Sequence, residues 1–408
     1  MSDRSPEAGR CPRLLVLGAG SYQIPALQAA RNLGMHVIAL DRNDKVPGAA
    51  LADAFHSIDT TDREAVARLA LAENVDGVIA PCTDVAVPTQ AYVAGVIGSP
   101  GPGVEAAETL TDKARFRAYQ ARRGLPHPRA VEADPDCFDA ASLTEHAYVL
   151  KPARSSGSKG IFVVAPDEIG ERLPQTLAYS PDRRFVVETF IAGAQGTVEG
   201  LWIGGEIALA VVTDRLTAPA PLVATLGHLW PGRFDEDFRR RLLDAIADIL
   251  ADLGVPDSPF DCDFVASPDG PVILELTPRL GGNSLSKLVR AATGTDLPAQ
   301  AVRLALPRSL RPQILPPETP MGPAAGVIVL GSPATGRLAF DEVGEASLKA
   351  EPWLAGIAWD MPAGAAVRRF ANGQDRVGEA LFLAPDRTVL DARHAEILQR
   401  LKVSARSC

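Results

Sequence analysis

Residues Pro259–Ser284 read PFDCDFVASPDGPVILELTPRLGGNS. Asp263-Phe264-Val265 is a short strand-like run, Pro268-Asp269-Gly270 is turn chemistry, and Pro271–Leu276 is a second strand, so the stretch reads as a β-hairpin. Alternation sets Val272 and Leu274 on one face and Ile273 and Glu275 on the other. Asp263 and Glu275 lie twelve positions apart, one on each arm, and the turn between them brings the carboxylates side by side. Like charges on neighbouring strands repel, so such a pair calls for a cation between them. Oxygen ligands from one or two carboxylates, completed by phosphates, suit Mg²⁺. Arg279 follows Glu275 by four residues, ahead of a Gly281-Gly282 pair whose amides are open to approach. A carboxylate pair, a guanidinium and an amide-rich loop together describe a phosphoryl-transfer site. The competing reading is an exposed hairpin with ordinary surface charges, and the upstream sequence favours the site.

Upstream, Thr111 or Asp112 caps a helix over 113–123, which places Lys113 in a first turn where a cation gains nothing from the helix dipole. Pairing with a phosphate would explain it; a solvated lysine is the plain alternative. Tyr148–Lys151 is a strand, and the loop Ser155-Ser156-Gly157-Ser158-Lys159-Gly160 leads into a second strand, Ile161–Val164. Such a loop can fold over a polyphosphate and donate backbone amides. It is not a P-loop, because the GxxxxGK[ST] spacing is absent and no helix follows. Phe185–Ile191 is strand-like apart from Glu188, a buried acceptor that suits an adenine edge; a water-facing glutamate on an edge strand is the alternative.

The first hundred residues alternate strand and helix: Leu14–Leu17, Ile24–Leu33, Val37–Leu40, Arg63–Ala72 and Val75–Ala80. That is a parallel α/β domain. Its Gly18-Ala19-Gly20 turn does not make a dinucleotide site, because Gln23 stands where the fingerprint needs its third glycine. Cys82-Thr83-Asp84 follows a strand end, where open α/β sheets place ligands, although a polar loop reads equally well.

The chain has 408 residues, 46% of them hydrophobic and 22% charged, which fits two or three globular domains. A net charge of −9 without a basic tract argues against nucleic acid as a partner. Five scattered cysteines, at 11, 82, 137, 262 and 408, with no CxxC, fit a reduced, cytoplasmic protein. No signal-peptide core and no apolar run of membrane-spanning length occurs in the sequence.

The ordered set Lys113, Lys151-Pro152, SSGSKG, VVETFI, Asp263, and ELTPR with Gly281-Gly282 resembles the ATP-grasp superfamily over roughly residues 13–310. The resemblance implies a mixed α/β and α+β architecture. A Rossmann-like α/β domain would span 1–110, and a two-lobed ATP-binding domain 111–310, with a flexible lid at about 125–192. A linker and small α+β domain would span 311–408. It implies ATP and Mg²⁺, with Mn²⁺ as the substitute. Lys113, Lys151, Ser156, Gly157, Ser158 and Gly160 would hold the phosphates, Glu188 and Ile191 the adenine, and Gln195 the ribose. Arg215 would be a further basic residue. Asp263, Glu275 and Thr277 would hold the metal, and Arg279 and the Gly282 amide would stabilise developing charge.

The chain departs from the family pattern at Thr277, where asparagine is usual, and at Gln195, where glutamate is usual. Gly227-His228-Leu229-Trp230-Pro231 and the layout after Gly326 are similar to the L-amino-acid ligase (dipeptide synthetase) branch, although Thr225 replaces a usual glutamate. His228 would orient the amine substrate, act as base, or be a structural histidine.

The implied activity is ligation of a carboxylate, activated as an acyl phosphate, to the amine of an amino acid. The partners would be small molecules, with no nucleic acid or membrane, and a homodimer is compatible. The alternatives are an ATP-grasp carboxylase or purine-type ligase on a phosphorylated substrate, and a nucleotide-binding regulator without turnover.

Overall fold

The strand Arg13–Leu17 is apolar without alternation because both its faces are covered. It pairs in parallel with His36–Asp41 and Gly77–Ile79, and Ala54–Ser57 lies outside His36–Asp41. Helix Ile24–Asn32 packs on one face of this sheet, and Arg63–Ala72 with Val87–Ile97 on the other. The edge strand Ala54–Ser57 was not expected; it is four residues, three half-buried and one exposed, without a clear period. In all, the computed structural model describes residues 10–136, 138–180, 182–312 and 322–406.

The hairpin forms from Ser258–Ser267 and Gly270–Thr277, with Asp263 directly opposite Glu275. Just beyond that pair the register shifts and Phe264 faces Ile273, leaving Leu274 as the extra residue of a bulge. The expected alternation is therefore corrected. Ile273 turns into the core with Phe260, Cys262, Phe264 and Leu276, packed against helix Glu236–Asp252. Leu274 joins Glu275 in the wall of a cavity. Helix Glu236–Asp252 starts at Asp235, whose carboxylate accepts from the Phe238 amide.

The hairpin is one edge of an eight-stranded sheet. From that edge the order is Gly270–Thr277, Ser258–Ser267, Ala194–Ile203, Glu206–Thr217, Thr225–Trp230, Ala324–Gly331, Arg376–Ala384 and Leu354–Trp359, and every pairing is antiparallel. The last three strands come from the C-terminal part of the chain, which is thus hydrogen-bonded into the central sheet. That part also holds a sheet of Gly336–Ala339, Ala366–Val367 and Ser404–Arg406, with helices Glu342–Lys349 and Arg387–Leu401. Its strand Ala366–Val367 is only two residues long, and the last helix begins at Arg387 because Asp386 caps it. The linker expected from residue 311 falls partly outside the described residues.

A four-stranded antiparallel sheet, in the order Ala130–Ala133, Phe185–Thr189, Tyr148–Pro152 and Phe162–Val164, packs against helix Ile169–Leu177 through Leu150, Phe162, Ile169 and Phe185.

Candidate active site

Between this small sheet and the large one lies a cavity of about 360 Å³. Asp112 caps helix Lys113–Arg122 by accepting from the amides of Ala114 and Arg115, and this fixes Lys113 at the helix start. Lys113 is buried; its Nζ donates to the Ser155 carbonyl at 3.2 Å and stands 3.8 Å from Glu275. Lys151, at the end of its strand, is 2.5 Å from Glu188. Burial is the main force on the Lys151 ammonium; Glu188 opposes it, and the result is a pKa lowered to about 8. Burial alone would push the Glu188 carboxyl up, but Arg117 and Lys151 outweigh it and hold it below its ordinary range. Ser155 to Lys159 form the wall above, and Gly157 and Ser158 both have positive φ, 73° and 58°. The Gly157 carbonyl accepts from the Gly373 amide at 3.0 Å, so a turn of the C-terminal part touches this loop.

On the large sheet Asp263 and Glu275 face each other, and each also meets a cation. Arg215 Nη1 is 2.6 Å from Asp263, and Lys113 meets Glu275. The Thr197 hydroxyl donates to Asp263 at 2.6 Å. His228, opposite Arg215 in the register, is 1% exposed with Nε2 unpartnered. Burial, assisted by the Arg215 charge, pushes its pKa down to about 3. With its pKa held that low, the imidazole is uncharged near neutral pH and has little affinity for a proton.

One rung further along the sheet, Asp261 pairs with Glu199 on the next strand and with Thr277 on the other side. Arg279 Nη1 donates to Asp261 at 2.7 Å and Nε to Asp84 at 2.7 Å, so this guanidinium is clamped between two carboxylates. Both Glu199 oxygens accept from the Gly281 amide at 3.0 Å. Burial pushes the Glu199 and Asp261 carboxyls up, and Asp261 pushes Glu199 further.

Most of the expected residues therefore line one cavity: Lys113, Lys151, Ser156, Gly157, Ser158, Glu188, Ile191, Gln195, Arg215, His228, Asp263, Glu275, Arg279 and Gly282. Two do not. Gly160 lies against Thr176 and Tyr179. Thr277 is fully buried outside the cavity wall, with its hydroxyl unpartnered, and Asp261 lines the cavity at that rung. Glu188, on the cavity wall, also accepts from Arg117 and faces Lys151, two partners that its place in an apolar strand did not show. Arg117 and Asp261 were not singled out from the sequence, and Asp84, noted only as part of the loop after a strand end, lines the cavity and holds Arg279. Arg117 follows Lys113 by four residues, a spacing that sets both on one helix face. At the other end of the cavity, Gln23 donates to the Pro81 carbonyl and packs on Gly18 and Gly20, and Asp41 accepts from the Ala19 amide. The glycine turn is filled by its own chain, in keeping with the missing dinucleotide fingerprint.

Among the described residues no cluster of three or more His, Cys, Asp or Glu side chains has metal-holding geometry, and no helix is long and apolar enough to cross a membrane. Residues 110–283 match the family model described as an ATP-grasp domain. An uncharacterized protein of Sinorhizobium fredii is 26% identical over 400 residues, 92% of this chain and 78% of that one. A formate-dependent phosphoribosylglycinamide formyltransferase of Burkholderia thailandensis is 32% identical over 167 residues, 40% of this chain and 41% of that protein's length. Among solved structures, an L-amino acid ligase from Bacillus licheniformis superposes with a TM-score of 0.80 at 19% identity, covering 98% of this chain and 99% of that one.

Proposed function

We propose that this chain, which carries an ATP-grasp domain over residues 110–283 and has the ATP-grasp fold, is an ATP- and Mg²⁺-dependent ligase joining a carboxylate to the amine of an amino acid. The observation that carries the reading is the opposed Asp263–Glu275 pair, sharing one cavity with Lys113, Lys151 and the 155–159 loop. Two opposed carboxylates leave the rest of an octahedral shell to phosphate and water oxygens, a donor set that fits Mg²⁺. Bound there, the ion would neutralise phosphate charge.

In the proposed reaction a carboxylate oxygen attacks the γ-phosphorus of ATP and the bond to the β–γ bridging oxygen breaks, releasing ADP. The amine nitrogen then attacks the acyl carbon, the carbon–oxygen bond to phosphate breaks, and the nitrogen loses a proton to solvent. Lys113 and Lys151 hold phosphate oxygens, and the 155–159 loop excludes water that would hydrolyse the acyl phosphate. Arg279, fixed by Asp84 and Asp261, presents a charge already oriented toward the reacting oxygens, and the Gly282 amide adds a donor. Neutral His228 orients a substrate polar group through Nε2.

A second reading, a ligase acting on a phosphorylated substrate, is favoured by the formyltransferase match. Such a substrate calls for additional arginines. Arg184 is instead engaged with Asp112 and Glu132, and Arg239 to Arg241 lie on a helix away from the cavity wall.

The test is phosphate release from ATP and Mg²⁺ across pairwise mixtures of amino acids, with mass spectrometry of active wells. A product lighter than two amino acids by one water supports the reading. ATP binding with phosphate release only at the no-substrate rate in every well overturns it.

A further inference from the structure

We infer that Arg117 is a positioning residue that frees Lys151 for an anionic ligand by taking up the charge of Glu188. This rests on the reading that the cavity binds ATP. Arg117 is 3% exposed and does not line the cavity. Its Nε donates to Glu188 Oε1 at 3.0 Å and its Nη2 to Oε2 at 3.4 Å, while Lys151 approaches the same Oε2 at 2.5 Å. One buried carboxylate is thus shared by two cations. Without Arg117, Lys151 and Glu188 would close into a neutral pair, and a buried pair of that kind holds its members strongly. With Arg117, one positive charge is in excess, and of the two cations only Lys151 reaches the cavity.

The rest of the guanidinium braces the opposite wall. Nη2 donates to the Leu274 carbonyl at 2.7 Å, and Nη1 to Gln120 Oε1 at 2.7 Å. The Gln120 amide in turn donates to the Ile273 carbonyl at 2.9 Å. Leu274 is the bulge residue that sets Glu275 in place opposite Asp263. Only a planar fork with several donors makes these contacts at once, which an ammonium cannot do.

The experiment is calorimetric titration of ATP, with adenosine as control, into the wild type, Arg117→Gln, Arg117→Lys, and the double variant Arg117→Gln with Glu188→Gln. Arg117→Gln should raise the Kd for ATP about tenfold or more, the scale of a charged hydrogen bond, and leave adenosine unchanged. The double variant should return to within about threefold of wild type, because Lys151 then has no carboxylate to close on. Arg117→Lys still neutralises Glu188, and should keep ATP affinity within about threefold while melting at lower temperature. Equal affinity in wild type and Arg117→Gln overturns the inference, as does a double variant no better than the single. Should Arg117→Gln not fold, the double variant decides: affinity within about threefold of wild type supports the inference, and a tenfold loss overturns it. A wild-type protein that binds no ATP removes the underlying reading and this inference with it.

Discussion

Lys151 makes a prediction in which two measurements move in opposite directions with pH. Burial carries its ammonium from 10.5 to about 8, against the opposing pull of Glu188 and with Arg117 and Lys113 adding to the fall. At about 1.4 kcal/mol per pH unit, that is roughly 3 kcal/mol by which the folded state disfavours the charged form. In the unfolded chain the lysine stays protonated up to its ordinary value. Between pH 8 and 10.5 the unfolded state therefore binds more protons, and the contribution of Lys151 to stability rises with pH. The cost is complete below about pH 8 and gone above the ordinary value. Binding of a polyphosphate needs the charged form, so affinity for ATP falls above about pH 8, by up to about tenfold per pH unit.

The assay pairs chemical denaturation of wild type and Lys151→Met with calorimetric ATP titration, both from pH 7 to 10. Differencing against Lys151→Met cancels the other titrating groups, and Glu188 keeps Arg117 as its partner in that variant. Wild-type stability should gain on Lys151→Met by up to about 1.4 kcal/mol per pH unit above pH 8, while its ATP affinity weakens over the same range. A difference in stability that is flat with pH, or an ATP affinity unchanged up to pH 10, would refute the reasoning.

Asp263→Asn and Glu275→Gln should each lower phosphate release by about a hundredfold or more and raise the Mg²⁺ needed for half-maximal rate, as steady-state assays would register; a variant turning over normally would remove the metal assignment. His228→Asn should leave the shape of the pH–rate profile unchanged between pH 6 and 9, because the imidazole is already neutral there; loss of one limb of the profile would show that His228 titrates in that range. Gly281→Ala should lower stability by about 1–3 kcal/mol, since a Cβ there runs into the carboxylates of Glu199 and Asp261; a thermal melt unchanged from wild type would count against that packing.

What could be read from the sequence was what depends on neighbours along the chain. Asp263 and Glu275 are separated by one turn, and a turn of that composition can only return the strand on itself, so their meeting was legible. So was Lys113, whose position follows from the Asp112 cap. The bulge at Leu274 was not legible, because an inserted residue in a strand leaves no mark on an apolar run such as VILEL. The charge partners were not legible either. Glu188 was assigned to a ligand because an isolated carboxylate in an apolar strand needs something to face; that something is Arg117, 71 positions away. Arg279 was read without the carboxylates that hold it, and one of them, Asp84, lies 195 positions away.

These two sets of unseen partners have a common cause. A buried ion needs a partner, but which one it finds is decided by strand and helix packing rather than by spacing. At this site the protein itself supplies the first partner for each cation near the reacting groups: Glu188 for Lys151, Glu275 for Lys113, Asp263 for Arg215, Asp84 and Asp261 for Arg279. A bound polyphosphate must therefore compete with carboxylates for the lysines, and a divalent cation must compete with Arg215 and Lys113 for Asp263 and Glu275. Binding both together resolves the competition, because each released protein charge meets an opposite charge on the incoming pair. The arrangement therefore favours the metal–nucleotide complex over either component alone.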